Sequence, residues 1–413
     1  MDGLNGQVSE APAAPMAFES RGVVALLLSA IPLSQIPLDA YTPAMPDMVR
    51  DLAASNALVQ NTVTVYVLGM CLALVPVGML ADFWGRRRTL LAGLALLIVA
   101  SVACAAVNDV WVLLGLRFLQ GLAASSCMVV PYAVAADLFR GTRLTAVSGL
   151  LGIAWGLAPV LAPAVGGFIV QYVSWRFVFT CMAMLAAMVL VVVLLRLPET
   201  LPADKRVPFH PSSASRIMFG ALRDFRFVAY ASVFGLIASA QLAFGVVAPF
   251  LYQQNLGLSA ATYGLIALVV GGANLSGEMA CTSLATRITP RQLCFGALTV
   301  YFAGALVLVT SGMAIGSSFF PITLGGMLAL AGCGTLCPTL YGMALGLFSN
   351  NLGLIGGFIS SLCFLAVSVT MALAAYLPET SQAPLGWVYV AIGAIAAGLL
   401  AFSLPAAKDA SRS

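Results

Sequence analysis

Apolar residues run along this chain in continuous blocks rather than in alternation. From Arg21 to Leu404, stretches of about 18 or more apolar residues recur, separated by short polar segments. Each is long enough to cross a hydrocarbon core of about 30 Å as a helix, and the lack of alternation argues against membrane strands. The blocks predict twelve spans, near 22–45, 58–81, 88–107, 110–137, 144–171, 176–197, 226–251, 261–286, 291–313, 319–346, 352–376 and 385–405. The longest polar gap lies mid-chain. The expected organisation is a tail (1–21), a six-helix half (22–197), a linker (198–225), a second six-helix half (226–405) and a tail (406–413). Two such halves are the pattern of parallel repeats that share a central substrate site. Leu-Pro-Glu-Thr occurs at 197–200 and again at 377–380; the topology puts the copies on opposite sides of the membrane, so the match is read as coincidence.

Composition agrees: 61% of the 413 residues are hydrophobic and 8% charged, against about 25% charged in a soluble domain. The placement of charge matters more than its sum of +4. If the N-terminus is cytoplasmic, sixteen Lys and Arg fall on inner loops and tails and two, Arg50 and Arg176, on outer loops. Arg117 lies within a span. By the positive-inside rule both termini are expected in the cytoplasm. The first 20 residues carry Asp2, Glu10 and Glu19 and no basic start, so they do not read as a signal peptide. All nine cysteines fall in apolar runs, where a thiol packs as a small hydrophobe. Basic residues confined to loops give no nucleic-acid footprint.

Several chemistries are excluded. The two lysines, Lys205 and Lys408, do not follow a glycine, so a phosphate-binding Gly-Lys-Ser/Thr loop is absent and ATP is not the energy source. A single histidine, His210 in the linker, leaves histidine metal clusters and Ser-His-Asp catalysis unsupported. No cofactor and no enzymatic activity are expected. A membrane enzyme or receptor would be the alternative class, and the sequence shows no catalytic cluster for it.

Between spans 2 and 3 the chain reads Gly78-Met-Leu-Ala-Asp82-Phe-Trp-Gly85-Arg86-Arg87-Arg88. Locally, Gly78 would let a helix approach closely and Gly85 would permit a turn. Asp82 would pair with Arg86 or Arg87, or sit at a helix N-terminus. The run resembles the signature loop of the major facilitator superfamily, with Phe83 where the family usually has a basic residue. Leu116-Arg117-Phe118-Leu119-Gln120-Gly121 resembles the family's second motif. Gly152, Gly156, Pro159, Pro163, Gly166 and Gly167 of span 5 resemble the antiporter motif of drug exporters, with Ala162 where Gly is preferred. Asp39-Ala-Tyr41-Thr-Pro43-Ala-Met-Pro46, with Ser174-Trp-Arg-Phe177, resembles the bicyclomycin and chloramphenicol (Bcr/CflA) exporters; the second half matches more loosely, through Pro249 and the glycine-rich stretch 351–361. The resemblance implies an all-α membrane protein of the major facilitator fold in a bacterial inner membrane. It implies a monomer whose partners are the bilayer, protons and a small amphipathic substrate, exported in exchange for protons. Export of an endogenous metabolite such as a siderophore, or proton-coupled uptake, is the alternative.

Three charges fall within spans: Asp39, Arg117 and Glu278. Each costs about 2.5–3.5 kcal/mol at a helix centre, so each is expected to face a cavity or a partner. A carboxylate taken out of water exchanges protons closer to neutrality, which makes Asp39 the expected proton carrier. Arg117, at similar depth, would pair with it or share a water network, and Glu278 would serve substrate or proton binding. Tyr41, Tyr66, Met128, Tyr132, Trp155, Gln241, Phe244, Asn274 and Tyr341 could line a central cavity, since aromatic and Met surfaces suit varied ligands.

Overall fold

The computed structural model describes residues 17–206, 211–350 and 352–404. His210, Asn351, Lys408, Arg412 and most of both tails lie outside the described residues. Among those described, twelve helical segments are long and apolar enough to cross a membrane. Spans 1 to 6 are Gly22–Asp51, Asn56–Trp84, Arg86–Ala106, Val110–Leu138, Gly141–Tyr172 and Trp175–Arg196. Spans 7 to 12 are Phe225–Asn255, Ala260–Leu284, Pro290–Ala314, Phe319–Leu345, Leu352–Ala374 and Ala383–Ser403. The end of the bundle carrying the 197–224 linker is called the near end here, and the opposite end the far end.

Caps set most boundaries. Ser55, Asp109, Ser174, Asp224 and Ser259 each accept a backbone N–H of the helix they begin, and Thr289 forms a full capping box with Gln292. Span 1 departs from the sequence expectation. It is no single helix over 22–45 but reaches Asp51 through α-helix Ala17–Ala30, 3-10 turns at Ile31–Ser34 and Thr42–Ala44, and short α segments Ile36–Asp39 and Met45–Asp51. Pro32, Pro37, Pro43 and Pro46 lack the N–H that a continuous helix needs, and Asp39 therefore sits in broken backbone. Span 7 likewise loosens into a π-helical end, Phe250–Asn255, just after Pro249.

Span 2 packs on spans 4 and 11, span 5 on span 8, span 10 on spans 8 and 9, and span 12 on spans 7 and 9. Pairs 2–11 and 5–8 join the two halves. With lipid offering no hydrophobic drive between helices, close backbone approach holds such pairs together. Along span 5 the closeness changes with depth. A methyl added at Gly167 would meet the Ala260 carbonyl at 2.5 Å, and one at Gly264, on span 8, the Pro163 carbonyl at 2.7 Å. One at Gly271 would find Val160 at 3.2 Å, and one at Gly156 the Glu278 carboxylate at 3.6 Å. One at Gly149, nearer the near end, would meet nothing within 4 Å. Spans 5 and 8 thus touch at the far end and diverge towards the near end. Buried residues follow the same division: one core cluster runs through both halves, and a second, at the near end, belongs to the first half alone.

Candidate functional site

Two faces of the broken stretch of span 1 look into different surroundings. Gln35, Asp39 and Thr42 line a cavity between the halves, together with Val63, Pro159 and Pro163 of the first half and Gln241, Phe244, Tyr263 and Asn274 of the second. Its free volume is about 80 Å³. That is room for a few waters, well below the roughly 300–1,000 Å³ of a drug-sized pocket. One Asp39 oxygen, Oδ2, is buried without a hydrogen-bond partner, as are Gln35 Oε1 and Asn274 Oδ1. Unsatisfied buried acceptors are costly and mark a place for water, a proton or a ligand donor. One turn on from Asn274, its amide donates to Glu278 at 3.0 Å. Glu278 therefore stands on the cavity's near-end side, across from Gly156.

Arg117 does not pair with Asp39. It is fully buried, its guanidinium lying 4.3 Å from the Tyr41 ring centre and 4.5 Å from that of Tyr66, with Nη1 donating to Gln120 at 2.7 Å. Gln120 in turn donates to Ser101 at 2.8 Å. Aromatic faces attract the cation in place of a carboxylate. Arg117 still contributes a positive field near Asp39, but by proximity and not by contact.

The expected cavity residues divide accordingly. Gln241, Phe244 and Asn274 line the cavity. Tyr41 and Tyr66 do not: both are fully buried in the first half, Tyr41 hydroxyl sharing a hydrogen bond with Thr62 at 2.7 Å and Tyr66 donating to the Ser34 carbonyl at 2.8 Å. They were indicated as ligand contacts by their type, and the buried arginine explains them better. Trp155 packs against the first half's near-end core, and Met128 against the shared core. Tyr132 is 37% exposed beside Gly152, and Tyr341 packs on Phe234 at 5.8 Å with its hydroxyl next to Gly356. Gln35 was not indicated by the sequence; only its spacing of four from Asp39, with Pro32 and Pro37 alongside, hinted at a polar face.

At the near end the loop motif closes on itself. Arg86 bridges Asp82 at 2.5 Å and Asp137 at 3.2 Å, while Arg87 donates to the Leu194 carbonyl at 2.7 Å. Of the pairings open to Asp82, that with Arg86 is present. Gly85 has φ +111°, a conformation that side chains resist, and Glu199 lies against it, accepting the Arg86 backbone N–H at 2.9 Å. Gly78 is not a point of close helix approach: a methyl there would find Val129 at an ordinary 3.6 Å. The tight crossing lies deeper, about three turns along span 2, where Gly121 of span 4 faces the Tyr66 carbonyl. Gly152 and Gly156 also have room, whereas Gly166 lies against the Ala40 carbonyl and Gly167 against Ala260. The sequence did not point to Asp137 or Glu199 as members of this network.

The profile described as Major Facilitator Superfamily matches residues 27–360, which takes in spans 2 to 10 whole, most of span 1 and the start of span 11. The chain belongs to the Major Facilitator Superfamily. It is 29% identical over 377 residues to an uncharacterized MFS-type transporter, YdgK of Bacillus subtilis, covering 88% of this chain and 91% of that protein. It is 30% identical over 287 residues to multidrug resistance protein MdtL of Escherichia coli, covering 70% and 72%. Among solved structures, it resembles a partially occluded, inward-open form of the xylose transporter XylE from E. coli, with a TM-score of 0.71 at 16% identity over 95% of this chain and 99% of that one. A D-xylose–proton symporter gives 0.70 at 18% identity over 94% and 97%. These structural likenesses establish the major facilitator fold. The protein is a multi-pass membrane transporter whose partners are the bilayer and a small-molecule substrate.

Proposed function

We propose that this chain exports small amphipathic, drug-like molecules across a bacterial inner membrane in exchange for protons. The observation that carries the reading is the Asp39 carboxylate: its Oδ2 has no partner, and it lines a cavity wedged between the two halves. A group so placed is reached from one side at a time as the halves rock, which is what exchange through a shared site requires. The likeness to a multidrug resistance protein favours drug-like cargo, as do the bicyclomycin and chloramphenicol motifs.

With both termini in the cytoplasm, the near end is the inner one and the described form opens inward. The 80 Å³ cavity is then the closed tip of the path. A larger substrate would lie below it, against Glu278, Tyr132 and Tyr341, while deprotonated Asp39 holds the site receptive. Opening outward would expose Asp39 to external protons, and its protonation would favour release. One charge crossing 100 mV is worth about 2.3 kcal/mol, or roughly fifty-fold accumulation if fully coupled. The two halves enclose the whole path within one chain, so the monomer is the transporting unit. In proteoliposomes, an imposed pH gradient should drive a lipophilic cationic dye uphill, and dye addition should release protons. Dye movement that only ever runs downhill, whatever the pH gradient, would refute the coupling.

A further inference from the structure

The second Leu-Pro-Glu-Thr copy lies at the far end, in the connection between spans 11 and 12. Its glutamate, Glu379, reaches across the seam between the halves. Both carboxylate oxygens accept from amides at the start of span 2, Oε2 from Asn56 and Oε1 from Gln60. Span 7 completes the knot from the second half. Asn255 donates to the Glu379 carbonyl at 2.6 Å and to Ser317 at 3.1 Å, and Gln254 accepts from Asn56 at 3.2 Å. Beside it, Gln253 donates to the Pro43 carbonyl at 2.9 Å, a second bond across the seam.

Everything that holds this carboxylate is neutral. Residues 56–63 of span 2, 250–255 of span 7 and 315–318 carry no charge, and the connection 375–382 holds only Glu379 itself and the titratable but exposed Tyr376. The charged groups on the neighbouring end of span 1 are engaged elsewhere: Arg50 with Asp47, and Asp51 with Arg176 and Trp175. Among the described residues Glu379 has no ion pair.

We propose that Glu379 is a proton-linked positioning residue of the far-end seal: closing the far end lifts its carboxyl from water onto neutral amides of the other half, so closure takes up a proton. This rests on the alternating-access reading above. A neutral carboxyl fits the same partners, because an amide turned over offers its oxygen to the carboxyl O–H. Burial pushes the Glu379 carboxyl above its ordinary value, and the amide hydrogen bonds from Asn56 and Gln60 pull the other way without cancelling the rise. A group raised in the closed form holds its proton more tightly there. Protonation therefore favours the closed far end at low pH, and that advantage is lost as pH rises through the closed-form value. Acid on the far side would close the far end and return the transporter to its near-open form.

Spin labels at Tyr172 and Ile315, both exposed at the far end on opposite halves, report the separation by pulsed electron resonance in lipid. Between about pH 5 and about pH 8 the separated fraction of the parent protein should rise with pH. Glu379→Gln, which resembles the protonated form, should lower that fraction at the higher pH and flatten the profile. Gln60→Leu, which removes a donor from the seal, should raise it throughout. A Glu379→Gln profile superimposable on the parent's overturns the latch while leaving alternating access intact. A parent protein that shows both separations in a ratio independent of pH overturns the latch alone, and one that holds a single separation at every pH, with or without added dye, overturns alternating access as well.

Discussion

The far-end crossing of spans 5 and 8 permits a prediction with a sign. Gly264→Ala places a methyl 2.7 Å from the Pro163 carbonyl oxygen and 3.0 Å from the Ala164 Cα. Both neighbours are backbone, so relief comes only from moving one helix off the other. Overpacking of this kind costs about 1–3 kcal/mol. The cost falls on the far-closed form alone, because the contact is gone once the far ends part. The ratio of open to closed far end should then rise roughly 5- to 150-fold. Gly149→Ala supplies the control, since its methyl meets nothing within 4 Å in this form. The gain in helix propensity, about 1 kcal/mol for either substitution, is common to both forms and cancels. A cysteine at Val246, 2% exposed and lining the cavity, should react with a membrane-impermeant thiol reagent from the far side correspondingly faster in Gly264→Ala. Unchanged labelling, or an equal increase in Gly149→Ala, would show that this crossing does not set the balance between forms.

Arg117→Lys should lower the thermal midpoint in detergent by the equivalent of about 1–2 kcal/mol and abolish transport, because an ammonium cannot lie flat between Tyr41 and Tyr66 while reaching Gln120; an unchanged midpoint would contradict the aromatic cage. Gly85→Ala should cost about 1–3 kcal/mol through its φ of +111°, whereas Gly78→Ala, inside a helix and with room for its methyl, should cost nothing and gain at most about 1 kcal/mol; thermal unfolding of the two side by side checks this. Glu278→Gln should weaken transport of a cationic substrate more than that of a matched neutral one, measured at two pH values, and equal parent-like rates for both would leave Glu278 without a role in the cavity.

The twelve spans were legible because continuous apolar blocks are a strong signal, and their edges needed only small shifts to reach the capping residues. Span 1 was the exception. Its four prolines were visible, but where a proline-broken span turns depends on what it packs against, here Gly166 pressed on the Ala40 carbonyl. Asp39, Arg117 and Glu278 stood out because charge is rare inside spans. Their partners did not, since pairing Arg117 with aromatic rings instead of Asp39 is decided by side-chain direction in three dimensions. Tyr41 and Tyr66 were misplaced for the same reason, polar aromatics serving a buried cation as readily as a ligand. Glu379 stands in the Leu-Pro-Glu-Thr copy that the topology marks as coincidence, and its role is not legible in sequence because only tertiary packing brings Asn56 and Gln60 to it.

The central claim, proton exchange at Asp39, separates two activities that are usually lost together. In proteoliposomes, Asp39→Asn should still exchange labelled for unlabelled dye across the membrane, because the neutral amide resembles the protonated carboxyl and the path through the halves is intact. It should not accumulate dye when a pH gradient is imposed. Accumulation by Asp39→Asn equal to that of the parent protein would contradict the account.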